Sequence, residues 1–185
     1  MSWMILIGIL LLLGVYAVSL YNTLVRLRNG GENAWSDIDV QLKRRRDLVP
    51  NLVSTVKGFA SHEQETLEAV IQARSQATGS GAPGQVAESE GVLTQALSRL
   101  IALQEAYPDL KANENFLALQ SELSSIEAAI QNARRYYNAL IRDLNNACEA
   151  FPSVLVANAF GFSKGEYFEL DSPEDRTVPQ VDFGA

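Results

Sequence analysis

FLALQSELSSIEAAIQNARRYYNALIRDLNNACEAF, residues 116–151, decides the fold. Its apolar positions are Phe116, Leu119, Leu123, Ile126, Ile130, Ala133, Tyr137, Leu140, Leu144, Ala147 and Phe151. They alternate by three and four, the signature of a helix with one buried face. A strict heptad of this kind implies a left-handed supercoil with its partners. Run from Asn113 to Ala150, such a helix reaches ~57 Å, and no helix of that length stands in water without packing. Pro152 closes it, since proline cannot continue the hydrogen-bond ladder. Before Phe160 the period-two alternation of strands is scarce, so the class is all-α.

The other decisive stretch is the first. From Met1 to Val25 there is no charged residue, and residues 4–13 are apolar but for one glycine. A hydrocarbon core of ~30 Å takes ~20 apolar helical residues, so residues 3–25 suffice for one transmembrane crossing of the lipid bilayer. Trp3 and Tyr21 stand where aromatic side chains favour the headgroup level. A cleaved signal peptide is the alternative, because Ala17-Val18-Ser19 has the small-x-small form. Against it, no Lys or Arg precedes the apolar run. Arg26 and Arg28 follow the span and nothing basic precedes it, so the charge rule places the N-terminus outside and the remaining chain in the cytoplasm.

Between the two stretches lie three further helical segments. Trp35, Ile38, Leu42, Val49, Leu52, Val56 and Phe59 form one seam, interrupted only by Arg45. A lone charge there is costly to bury, so Arg45 is expected to meet a carboxylate or carbonyl from a facing helix or a neighbouring subunit. Gly30-Gly31 is read as a soft place in a continuous helix. Pro50 predicts a kink, with a fresh helix capped by Asp47 as the alternative. Gly58 ends this helix within a residue or two. Ser61-His62-Glu63-Gln64 has the form of a capping box for a second helix carrying Leu67, Val70, Ile71, Arg74 and Ala77. Residues 79–84 (GSGAPG) form a loop. A third helix then places Val86, Leu93, Leu97, Leu100, Gln104 and Tyr107 on one side and stops at Pro108. After the long helix, Ser153–Phe160 reads as one more short helix ended by Gly161. The tail from Ser163 is acidic and carries Val181 and Phe183 at alternate positions. It is expected to dock in extended form, on its own bundle or on a neighbour's.

Composition excludes several functions. A net charge of −7 is opposite to the dense basic face of a nucleic-acid binder. One cysteine and one histidine allow neither an internal disulfide nor a zinc site built from nitrogen and sulfur ligands. His62 has no nucleophile beside it, and Cys148 neighbours the core seam, where cysteine acts as a small hydrophobe. Glu127, Arg134 and Asp143 lack the Glu-x-x-His pairs of di-metal bundles. The expectation is a non-enzyme without cofactor or metal. Lys43, Arg44, Arg45 and Arg46 form the one basic run. Lys43 lies 18 residues past Val25, which is ~27 Å along a helix, whereas surface charge is screened over ~8 Å. These residues therefore face protein rather than lipid, and with Val181 and Phe183 they are the candidate interaction residues.

Several stretches together resemble the LemA family of bacterial membrane proteins. They are residues 33–45 (NAWSDIDVQLKRR), 47–53 (DLVPNLV), 56–60 (VKGFA) and 107–113 (YPDLKAN). Ala133-Arg134, Tyr137-Asn138, Phe151-Pro152 and the Pro179, Val181, Phe183 tail extend the likeness over nearly the whole chain. Leu144-Asn145 departs from it, standing where a second Tyr-Asn pair is usual. The resemblance implies one N-terminal span and an antiparallel four-helix bundle with long helices. It also implies kinship with proteins of magnetosome membranes and envelope stress, and it supplies no catalytic residues. The chain is thus divided into an anchor (1–28), a helical bundle (29–162) and an acidic extended tail (163–185). The function expected is a membrane-anchored, self-associating scaffold that organises the membrane or its proteins. An adaptor for a membrane protease or sensor kinase is the alternative, and the expected partners are lipid, a second copy of the chain and another membrane protein.

Overall fold

The computed structural model describes residues 2–77 and 81–169, and the described chain is helical. Six α-helices follow in order: α1 Ser2–Phe59, α2 Gln64–Gln76, α3 Pro83–Ala102, α4 Pro108–Lys111, α5 Glu114–Glu149 and α6 Ser153–Phe160. The described residues fall into two compact units. One comprises residues 2–42 and 127–167, the other residues 43–77, 81–126 and 168–169.

In the first unit α1 changes environment within a single turn. Every large apolar side chain from Trp3 to Val18 is exposed, whereas Leu24 is fully buried. Leu24 joins Leu144 and Cys148 of α5 and Ala157 of α6 in one core cluster, with Leu27, Val156 and Phe162 packed against it. Gly30-Gly31 lies within the uninterrupted helix, as expected. A Cβ built on Gly31 would sit 3.3 Å from Ile141 Cδ1, so this glycine lets α5 approach the α1 backbone.

The second unit gathers the rest of α1 with α2, α3, α4 and the start of α5. Its buried side chains are Val49, Leu52 and Val56 of α1, Leu67 and Val70 of α2, Leu93, Leu97 and Leu100 of α3, and Phe116 of α5. α1 runs through Pro50 to Phe59, one residue past Gly58, so Asp47 caps no new helix. At 58 residues α1, not the 36-residue α5, is the longest helix. The capping box does not form. α2 begins at Gln64 with no side-chain cap, and the Glu63 carboxylate instead accepts a 2.9 Å hydrogen bond from the Tyr107 hydroxyl. α3 stops at Ala102, short of Tyr107, and continues as a 3₁₀ turn over Leu103–Glu105. Pro108 begins α4 at its first position, where the missing N–H costs nothing. Asn113 caps α5, its Oδ1 accepting the Phe116 N–H at 2.9 Å.

Along α5 one row of the buried stripe slips by one position, while Phe116, Leu123, Ile130, Tyr137 and Leu144 keep the other row on the heptad. Phe116, Leu123, Ile126 and Ile130 are buried on the heptad, but further on burial falls on Ile141 and Cys148 rather than on Leu140 and Ala147. A straight helix of 3.6 residues per turn drifts ~20° per heptad, and four heptads accumulate nearly one residue. Phe151, last of the heptad series, ends up 80 % exposed. α6 has the bounds expected, with Gly161 at φ 72° as its left-handed cap and the Phe162 N–H on the Ala157 carbonyl. From Phe162 to the last described residue the chain is neither helix nor strand. Residues 170–185 lie outside the described part, and with them Val181 and Phe183.

The glycine positions give opposite expectations. Gly31→Leu forces volume against Ile141 and should cost about 1–3 kcal/mol. Gly58→Ala meets nothing within 4 Å and should gain about 0.5–1 kcal/mol. Urea unfolding of the detergent-solubilised protein, followed by helical circular dichroism, reads both signs.

Candidate functional site

The seam position that Arg45 occupies is fully buried, as is its partner Glu90 on α3. A guanidinium presents five donors in a fixed fork, and here the two terminal nitrogens serve carboxylate, carbonyl and hydroxyl acceptors. Arg45 Nη2 contacts the Glu90 carboxylate and donates to the Glu90 carbonyl at 3.2 Å. Its Nη1 donates to Thr94 Oγ1 at 2.9 Å. Arg46 reaches the other carboxylate oxygen of Glu90 at 2.9 Å and the Ala77 carbonyl at 3.1 Å. Arg74 Nε closes the cluster on the Arg46 carbonyl at 2.8 Å. One carboxylate thus ties two consecutive guanidinium groups of α1 to α3, while Arg46 and Arg74 tie α1 to α2. Glu90 was legible only as a gap: in the series Val86, Leu93, Leu97, Leu100, a core position falls at 90.

The basic run is therefore split. Lys43 and Arg44 are exposed, Arg46 is half-buried and Arg45 is inside. Lys43 pairs with Asp47 at 2.6 Å, and that hydrogen bond holds the Asp47 carboxyl below the usual carboxylate range.

In the first unit the segment after α6 is clamped to α5 through its backbone. Asn145 lays its amide against Gly165. Its Oδ1 accepts the Gly165 N–H at 2.8 Å, and its Nδ2 donates to the Gly165 carbonyl at 3.1 Å. Tyr137 donates its hydroxyl to the Glu166 carbonyl at 2.8 Å and sets its ring 5.5 Å from that of Trp35. Burial first, and the Glu166 carboxylate second, push the Tyr137 phenol upward. Tyr136, its neighbour, is exposed. Beside this clamp a groove of about 430 Å³ is lined by Arg134, Arg135, Asn138, Arg142 and Tyr167, a basic face on an acidic protein.

His62 is exposed in the turn before α2. Cys148 is buried in the cluster with Leu24, and burial, assisted by Glu149, pushes its thiol up against the weaker pull of Lys164. Among the described residues no group of three His, Cys, Asp or Glu side chains is placed to hold a metal ion.

Residues 34–183 match the sequence profile of the LemA family. Among curated proteins, Protein LemA of Metamycoplasma hominis is 28 % identical over 157 residues, covering 83 % of this chain and 70 % of that protein. Magnetosome protein MamQ 2 of Paramagnetospirillum magneticum is 23 % identical over 189 residues, covering 87 % and 70 %. Magnetosome protein MamQ of Magnetospirillum gryphiswaldense matches with the same identity and coverage.

Two outcomes are expected of these side chains. Glu90→Ala strands a buried guanidinium and should cost about 3–5 kcal/mol, while Arg45→Met combined with Glu90→Leu should cost clearly less than the two single changes added. Denaturant titration of the four proteins in a double-mutant cycle reads this coupling. Iodoacetamide should alkylate Cys148 slowly at neutral pH in the folded protein, since a raised thiol pKa keeps the thiolate scarce. The rate should climb only above the ordinary thiol range, and should jump when the chain is unfolded in urea; mass spectrometry follows the adduct.

Proposed function

This chain belongs to the LemA family, and on that premise we propose that it is a non-catalytic, membrane-anchored scaffold that self-associates and organises a bacterial membrane or its proteins. One observation carries the reading. A single uninterrupted helix is apolar and exposed over its first five turns and enters a protein core from Leu24 on. α1 holds the one candidate membrane span among the described residues. The same segment thus serves as anchor and as packing element, and the charge rule applied to Arg26 and Arg28 sets the packed helices on the cytoplasmic side. The polar interior supports a structural role, since Glu90 is engaged by Arg45 and Arg46. That relatives bear the name of the magnetosome supports an organising role.

The arginine-lined groove beside Tyr167 favours a second reading, an adaptor that receives an acidic segment of a membrane protease or sensor kinase. Native mass spectrometry of the detergent-extracted protein, with crosslinking in cells, separates the two. The scaffold predicts oligomers of this chain alone. A protein that stays monomeric at every concentration, and crosslinks in cells to one stoichiometric foreign partner, would establish the adaptor instead.

A further inference from the structure

From Ala150 to Ser163 the chain carries no charged residue, although it lies at the surface. Phe151 is 80 %, Leu155 61 % and Phe160 65 % exposed. In water large exposed apolar side chains along one short segment are a liability, and such surface marks an interaction site. Its position in the fold identifies the occupant. Ala157 of α6 shares a core with Leu24. One turn nearer the N-terminus, the Tyr21 ring lies 4.8 Å from that of Phe160 and 5.7 Å from that of Phe162. Trp3 to Tyr21 is ~27 Å of helix, close to the ~30 Å of the hydrocarbon core. If Trp3 lies at one face of the bilayer, Tyr21 marks the other, and Phe160 lies level with it. Cations rim the same corner: Arg28 stands 5.3 Å from the centre of the Phe162 ring, and Lys164 pairs with Glu149 at the end of α5.

We infer that α6 and the α5–α6 turn form a second membrane contact, with Phe151, Leu155 and Phe160 seated in the headgroup–acyl boundary beside the point where α1 leaves the bilayer. This rests on the reading of the first helix as a span. α6 is eight residues long, too short to cross, and its apolar side chains suit shallow interfacial seating. The span then no longer acts as a free tether. A second contact beside it fixes the orientation of the packed helices about the span axis.

The experiment uses the full chain in vesicles of phosphatidylcholine and phosphatidylglycerol. In a Cys148→Ser background, single cysteines at Ile9, Phe151, Leu155 and the exposed α5 position Ser121 carry an environment-sensitive fluorophore. The labels at 151 and 155 should lose most of their emission to lipids spin-labelled near the headgroup, the label at 9 to lipids labelled deep in the acyl chain, and the label at 121 to neither. If 151 and 155 behave like 121 while 9 is quenched, the span stands and the inference falls. If 9 is not quenched either, both fall together. Labels at 151 and 155 that are shielded from aqueous iodide yet unquenched by lipid would mean that a second copy covers this face, which also overturns the inference. The unaltered protein supplies an independent reading, because photoactivatable lipid should leave adducts on residues 150–160 as well as on the span. Adducts confined to the span overturn the inference without any variant.

Discussion

A guanidinium with no surface in water must find its counter-charge inside the protein, and Arg45 finds it in Glu90. That constraint sets the register of three helices. Glu90 can serve Arg45 and Arg46 together only if α3 lies at one height along α1, and the Arg46 bond to the Ala77 carbonyl fixes the end of α2 at the same level. Leucine and valine contacts tolerate sliding by a fraction of a turn. Charge-assisted hydrogen bonds at 2.9 Å do not. Such a cluster adds little net stability over a well-packed apolar core, because desolvation consumes most of the Coulomb gain. Its worth here lies in alignment, the use of buried polar groups that is best attested in helical assemblies.

The first unit is aligned by other means. Gly31 admits α5 to the α1 backbone, Trp35 leans on Tyr137, and Tyr137 and Asn145 hold the backbone beyond α6. These contacts are neutral, and two of the four end on backbone atoms. A side-chain amide that matches both the N–H and the C=O of one residue does what a neighbouring strand would do, without a sheet. A Cβ on Gly165 would fall 2.7 Å from Ile141 Cδ1, so a larger residue there would have to displace the Ile141 side chain.

Hydropathy period made much of this legible. The apolar start of α1, the seam through Arg45, the long α5 and the bounds of α6 with its Gly161 cap all follow from spacing and punctuation. What escaped was pairwise information. Glu90 reads as an ordinary surface glutamate until a core position is required at its place in the α3 series. The Ser61–Gln64 pattern had the composition of a capping box, but Tyr107, 44 residues on, engages Glu63. Gly30-Gly31 has the same propensity cost whether or not a neighbour packs there, and only the Ile141 contact shows that one does. The 3₁₀ turn at Leu103–Glu105 likewise has no period of its own to be recognised.

The slip of one buried row along α5 has a geometric consequence. Each residue of an α-helix turns the chain by ~100°, and each heptad carries a residual ~20° away from a fixed direction. The number of residues between Asn113 and Pro152 therefore acts as an angular gauge, fixing the azimuth at which the chain leaves α5. A chain with one residue more or fewer after Cys148, the last buried residue of α5, would keep its heptads and its core, yet would point Phe151 about a quarter-turn away. Helix length, which no single contact records, thus carries directional information in this family of folds.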